Sequence, residues 1–386
     1  MNVRLGARLL EAGVRRLIDS PRRTVRRVPD GEAIAGEPIA IRAFRDRVPI
    51  DPAFFEASRF ACEEDRLLPG EPSGIGVDFR YEGIVLPEAT VLADGVTHVS
   101  VFDAGGRRLA RWSDARRLPP PASLKRAPRR TVRGTTLHLT PMIALVGGNF
   151  SHWLLDGFAR LILLQDRAER VPRIDRYLVP PDAPAVRECM ASLGIGPDRL
   201  IELSAYEPLA FERLVCASAT RGYASHVIPS WIIDGYRRRL AEELRAGAAD
   251  ARRLYISRRD APGRSFAQEP AFIELLEARG YEAVELSRLG LRERARLFAG
   301  ATDVVGFVGA GMASTLFCPP GCRVTEIFPS NFVHYHFATI CAALGLEHRH
   351  YVLPGRSGGH GFGRHSGSME VDIDALLAFL DGREPG

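Results

Sequence analysis

The chain has 386 residues, 46% hydrophobic and 26% charged, the balance of a soluble globular protein with length for two domains. No apolar run approaches the roughly 20 residues that a transmembrane helix needs. The formal charge of +5 sits in residues 1–30, where eight arginines face three acidic residues, so the rest of the chain is neutral overall.

In that first stretch Leu10, Val14, Leu17 and Ile18 fall on one helical face between Arg4, Arg8, Arg15 and Arg16, and Ser20-Pro21 ends the helix. A basic amphipathic segment of this kind fits peripheral contact with an anionic membrane through residues 1–27, and it equally fits a helix packed on the body with a solvated arginine face. No nucleic-acid recognition motif or interleaved aromatic accompanies the charge. The N-terminus lacks the apolar core of a secretory leader. Cys62, Cys189, Cys216, Cys318, Cys322 and Cys341 are scattered as reduced thiols in a cytoplasm would be, and no second Cys/His pair completes a zinc site with Cys318 and Cys322. The expected location is cytoplasmic, with contact at the inner membrane face where residues 1–27 supply it.

Residues 36–118 carry short β-like runs, such as Ile39 to Arg42 and Thr97 to Phe102, broken by Gly and Pro turns. Thr135 to Val146 reads as a strand pair, and Asn149 to Gln165 as a strong helix. Then come strand Tyr177 to Val179, helix Ala183 to Leu193, strand Arg213 to Ser218 and a long helix from Ser230 to about Ala246 bridging two domains. The second half alternates regularly. Strands at Leu254 to Ile256, Ala283 to Glu285, Asp303 to Gly306, Arg323 to Phe328 and His348 to Val352 interleave with helices. Those helices are expected at Pro270 to Arg279, Leu291 to Ala299, Met312 to Phe317, Phe332 to Leu344 and Asp372 to Leu380. Such alternation predicts a parallel sheet covered on both faces, with ligands at the carboxyl ends of its strands.

Three segments could carry chemistry. Asp303 to Pro329 places a glycine turn, Phe307 to Gly311, between a strand and a helix, where backbone N–H groups can hold a phosphate. Glu326 on the next strand stands where a carboxylate accepts from ribose hydroxyls; an ordinary βαβ unit would read the same way. His152, Asp156 and Arg160, spaced four apart, stack on one helix face, as a proton-transfer site or as a stabilising pair. Arg258 and Arg264, following a strand, could clamp a diphosphate or lie in solvent. The only DxD sequence, Asp372-Ile373-Asp374, opens a helix, where acids complement the dipole, and reads as a helix start with no metal.

In their linked order these segments resemble glycosyltransferase family 61. The family's helix start N-[YF]-x-H-W-[LI]-x-D reads here Asn149-Phe-Ser-His-Trp-Leu-Leu-Asp156. Its strand ending [YI]-[IV]-S-R, with a second arginine shortly after, reads Tyr255-Ile-Ser-Arg258 and Arg264. Its G-x-H-G-A-G, P-P-G and E-[LI]-[FY]-P read Gly306 to Gly311, Pro319-Pro-Gly321 and Glu326-Ile-Phe-Pro329, with Val308 replacing the family histidine.

The resemblance implies an α/β, GT-B-like fold of two Rossmann-like domains facing a cleft, with β-rich N-terminal segments. The expected division is residues 1–30 as a basic segment, 31–235 as the acceptor-side domain and 236–386 as the nucleotide-sugar domain, its last helix free to pack back on the first. The implied reaction is inverting transfer from a nucleotide-sugar donor to a glycan or lipid-linked saccharide in surface polysaccharide biosynthesis of a bacterial type, with no cofactor or obligatory metal. Asp156 or His152 is the implied base. Arg258, Arg264, Gly309, Ala310, Gly311, Ser314, Thr315 and Glu326 would bind the donor, and Asn149, Trp153 and Arg160 the acceptor side. Two other readings stay open: an NAD(P)-dependent oxidoreductase, since Gly309-x-Gly311-x-x-Ser314 approaches the dinucleotide fingerprint, and a catalytically degenerate sugar-nucleotide-binding protein, since Val308 departs from the family.

Overall fold

The computed structural model describes residues 34–42, 44–48, 75–79, 81–93, 99–109, 112–113, 128, 130–140, 149–181, 184–204, 206–221, 227–261, 265–330, 332–333, 335–353 and 369–383. The basic segment 1–30, Cys62 and Arg264 lie outside them. Contacts divide the described residues into two units, one of residues 34–42 and 81–219, the other of 44–48, 75–79 and 220–383. This differs from the expected break at residue 235. The helix from Ser230 belongs wholly to the second unit, and so do strands β2 (Phe44–Val48) and β3 (Ile75–Phe79), which pair with each other.

The first unit is built on one mixed sheet. Its strands are β1 (Glu37–Ile39), β4 (Gly83–Ala93), β5 (Val99–Phe102), β6 (Thr131–His138), β7 (Arg176–Val179), β8 (Leu200–Glu202) and β9 (Leu209–Ala217), in the order β1-β4-β9-β6-β7-β8 with β5 also on β4. Strands β9, β6, β7 and β8 run parallel, whereas β1, β5 and β9 all pair antiparallel with β4. The sheet is thus mixed: a parallel run of β9, β6, β7 and β8 is extended through β4 by the antiparallel strands of the β-rich N-terminal part, of which β4 and β5 are joined by a short hairpin-type connection. Leu86, Val91, Val101, Phe211 and Leu214 pack its core. The strand pair expected over Thr135 to Val146 is one strand as far as His138, and residues 141–148 lie outside the described ones.

The crossover from β6 to β7 is helix α1, which runs as Phe150–His152, a π-helical turn at Trp153–Phe158 and Ala159–Arg167. Leu154, Leu155, Phe158 and Ile162 are buried along it. Helix α2 (Pro184–Ala191) follows β7.

The second unit carries an all-parallel sheet of β10 (Arg252–Ile256), β11 (Tyr281–Val284), β12 (Ala301–Phe307), β13 (Arg323–Phe328) and β14 (Glu347–Val352), ordered β11-β10-β12-β13-β14. Helix α3 (Ser230–Arg239) breaks at Leu240, whose φ of −113° and ψ of 24° leave the helical region, and α4 (Ala241–Gly247) continues, in place of one long helix. The break lets Gly247 approach the backbone of Arg296 in α6 (Leu291–Ala299). Ser230 is the first residue of α3, and Pro229 is its N-cap residue.

One face of this sheet is covered by α5 (Glu269–Glu277) and α8 (Ile373–Leu380), whose Phe272, Ile273, Leu376 and Leu377 pack on Tyr255, Val305, Phe307 and Ile327. Burying each such side chain contributes about 1.5–3 kcal/mol. The last helix thus packs on its own unit's sheet through Leu376, Leu377 and Leu380. A 3-10 helix (Ala310–Phe317) and α7 (Ala338–Leu344) lie beyond β12 and β13. Helix α7 starts later than Phe332, because Tyr335, His336 and Phe337 are held as a buried turn ahead of it.

Candidate functional site

In the second unit, the chain leaves β10 toward β11 on one side, and leaves β12 toward β13 on the other. Between β10 and β12 the winding reverses, and open α/β sheets bind ligands just outside the carboxyl ends of the strands at such a point. Two segments meet there. After β10, Ser257 N donates to Val284 O at 3.0 Å, and the chain turns, with Ala261 N donating to Arg258 O at 3.0 Å. After β12, the glycine turn leads into the 3-10 helix. A Cβ on Gly311 would stand 2.9 Å from Ile256 Cγ2 and 3.1 Å from Leu286 Cδ1, so glycine lets the helix start close over the end of β10. The first amides of such a helix have no partner within it. Arg237 of α3 holds the other end by donating to Leu316 O at 3.1 Å and Cys318 O at 3.0 Å.

The loop after β10 is fixed by one carboxylate. Glu269, the first residue of α5, is buried, and its Oε1 accepts from Tyr255 OH and Ser257 Oγ at 3.0 Å and from Arg258 N at 2.6 Å. Arg258 is itself buried, and desolvation lowers its pKa below the usual guanidinium value. On the other flank Ser287 N donates to Asp260 Oδ2 at 2.8 Å.

Glu326 lies on β13 in register with Gly306 of β12 and His350 of β14. It is fully buried. His348 Nε2 stands 3.4 Å from its Oε2, and its Oε1 has no hydrogen-bond partner among the described residues. Burial pushes its pKa up, against the opposing pull of His348.

In the first unit, α1 starts just beyond the carboxyl end of β6. Asn149 caps it, accepting from His152 N at 3.4 Å and from Ser151 Oγ at 3.1 Å. His152 Nδ1 and Asp156 Oδ2 are 2.7 Å apart, with side chains 20% and 17% exposed. The π turn is shaped by Gly157. A Cβ there would lie 2.8 Å from Leu139 O and 2.7 Å from Trp153 Cε3, so the helix rests directly on the end of β6. π turns in α-helices gather at functional sites. Beneath lie buried Arg160 and fully buried His138, whose Nε2 is 2.6 Å from Thr140 Oγ1. Burial foremost, then the charge of Arg160, lowers the His138 pKa to about 3.

Of the residues singled out from sequence, the structure brings His152 and Asp156 into contact and places Arg258, Gly309, Ala310 and Gly311 at the sheet's switch point. Others lie buried or at a helix cap. Ser314 and Thr315 are fully buried, and the Thr315 hydroxyl donates to Met312 O at 2.7 Å. Trp153 is core, packed edge-on against Phe158. Val308 is fully buried with its N–H donating to Ile327 O at 2.8 Å. Asp372 caps α8 by accepting from Ala375 N at 3.0 Å. Among the described residues no group of three His, Cys, Asp or Glu side chains is placed to hold a metal, and no helix is long and apolar enough to cross a membrane.

Sequence reasoning missed Glu269, whose only signal is an acid before Pro270 at a helix start, and missed His138 and His348, which announce nothing locally. Residues 150–325 match the family model described as Glycosyltransferase 61. Among curated proteins, none matches the chain.

Proposed function

We propose that this chain, a member of glycosyltransferase family 61 through residues 150–325, is an inverting, metal-independent transferase. It takes its sugar from a nucleotide-sugar and passes it to a glycan or lipid-linked saccharide in surface polysaccharide biosynthesis. The GT-B-like arrangement of two domains belongs to the same proposal, as do a cytoplasmic setting and peripheral membrane contact through residues 1–27.

The observation that carries the reading is the meeting of the Ser257-Arg258 loop with the glycine turn at the switch point of a parallel sheet. Inverting transfer needs a base that takes the proton of the acceptor hydroxyl on the face opposite the leaving group. It also needs positive charge where the nucleoside diphosphate departs. Arg258 supplies that charge with Arg264, and the amides of Ala310 and Gly311 add the positive end of the helix start. Asp156 and His152 form the proton-accepting pair, with Asp156 orienting the ring or taking the proton itself; Asn149 fixes the helix start that carries them. Glu326, whose Oε1 is buried with no hydrogen-bond partner among the described residues, is assigned to the donor ribose.

Thermal shift with UDP-, GDP- and CMP-sugars, NAD and NADP tests the substrate class. A ligand at a hundred times its Kd adds about 2.7 kcal/mol of stability. A rise with a nucleotide-sugar and none with NAD or NADP supports the reading; the reverse refutes it. Turnover is expected to persist in excess EDTA, and loss on chelation with recovery on manganese would contradict the metal-independent mechanism.

A further inference from the structure

We propose that Glu269 is a positioning residue of the donor site, holding the Ser257-Arg258 loop in the shape that presents Arg258 to a diphosphate. The proposal rests on the reading above that Arg258 holds the donor.

Three donors from the strand end converge on one buried carboxylate oxygen: Tyr255 OH, Ser257 Oγ and Arg258 N. They come from the last two residues of β10 onward, so they fix where the strand stops and how the chain turns out of it. Ser257 Oγ in turn accepts from Arg259 N at 3.2 Å, which relays the constraint into the turn. Tyr255 packs edge-on against Phe272 at 5.3 Å, so the phenol that reaches Glu269 is itself locked by α5. A carboxylate as the first residue of a helix is favoured by the helix dipole. Charged groups so buried are retained when every hydrogen bond they can make is well formed. A purely structural link between β10 and α5 is already supplied by their apolar contacts, which include Tyr255, Phe272, Ile273 and Leu276. The carboxylate adds a fixed direction for the arginine that follows.

The test is calorimetry with UDP and with GDP on the full-length protein, paired with turnover at varied donor concentration. Glu269→Ala is expected to weaken binding of whichever diphosphate the wild type binds at least tenfold. Donor KM should rise by a similar factor, with kcat at saturating donor changed less than about threefold. Glu269→Gln, which keeps an acceptor oxygen, should recover most of the affinity. A structural role alone would scale all activity with the folded fraction and leave donor KM in place. Where Glu269→Ala fails to fold, Ser257→Ala and Tyr255→Phe remove the donors singly, each weakening binding about threefold. Arg258→Ala separates the two claims. Lost binding in Arg258→Ala beside wild-type affinity in the Glu269, Ser257 and Tyr255 variants overturns the positioning role and spares the donor reading. Unchanged binding in Arg258→Ala overturns both.

Discussion

Two histidine–carboxylate pairs, one in each unit, differ in every respect that decides what a proton can do. His152 and Asp156 sit one turn apart on a helix start, 2.7 Å from each other, with both side chains partly open to solvent. His348 and Glu326 belong to neighbouring strands at 3.4 Å, with Glu326 sealed and 15% of His348 exposed. The first pair can receive a proton from a substrate and release it to water. The second cannot exchange freely, and burial drives its carboxyl toward the neutral form. Under the proposed reading, proton transfer falls to the helix pair, and Glu326 is a buried acceptor whose Oε1 has no partner among the described residues.

The largest effect expected is on the helix pair. Asp156→Asn should lower kcat by roughly 10²–10⁴-fold, the usual contribution of a general base. If His152 accepts the proton, His152→Ala carries the larger loss, and Asp156→Asn a smaller one through a misoriented ring. Wild-type turnover in both would break the comparison.

His138 is the limiting case, a histidine sealed beside an arginine. Its folded pKa of about 3 lies below the unfolded 6.5, so the unfolded chain binds more protons between these values. Stability is therefore lost as pH falls through that window, by on the order of several kcal/mol. Urea unfolding from pH 7 to 4 should show that slope, and His138→Gln should flatten it.

Glu326 is pushed the other way. An acid with a raised folded pKa contributes stability below its unfolded value and loses it as pH rises through the folded one. At neutral pH, Glu326→Gln should then raise the melting temperature, by about 2–4 °C for each kcal/mol gained. A variant less stable than wild type at pH 7 would show that the carboxylate is satisfied in the fold.

Gly157→Ala attacks the turn that sets the helix pair. Its Cβ would press on Leu139 O and the Trp153 ring. A loss of about 1–3 kcal/mol by overpacking is expected, with a fall in kcat exceeding any loss of folded protein.

Much of the second unit was legible because its signals are local. Helix Leu291–Ala299 and strand Arg323–Phe328 have the bounds their periodicity and turn residues predict. Motif spacing also located the His152–Asp156 pair and the glycine turn. What stayed hidden depends on partners distant in sequence. The π turn arises where Gly157 meets the Leu139 carbonyl, and the sealing of Glu326 comes from the neighbouring strand and helix. The antiparallel strands of the first unit pair β4 with β9 across more than a hundred residues, which periodicity alone does not specify. The hub at Glu269 draws on three donors that read individually as strand-end residues.

The most direct test is a paired measurement on Asp156→Asn and Glu326→Gln: calorimetric affinity for the nucleoside diphosphate, and turnover with the nucleotide-sugar. The account predicts that Asp156→Asn keeps nucleotide affinity and loses turnover. Glu326→Gln should weaken nucleotide binding by about 0.5–1.5 kcal/mol, the net contribution of one hydrogen bond to an uncharged carboxyl. Asp156→Asn abolishing nucleotide binding while Glu326→Gln leaves it unchanged would contradict the assignment of proton transfer to one pair and donor recognition to the other.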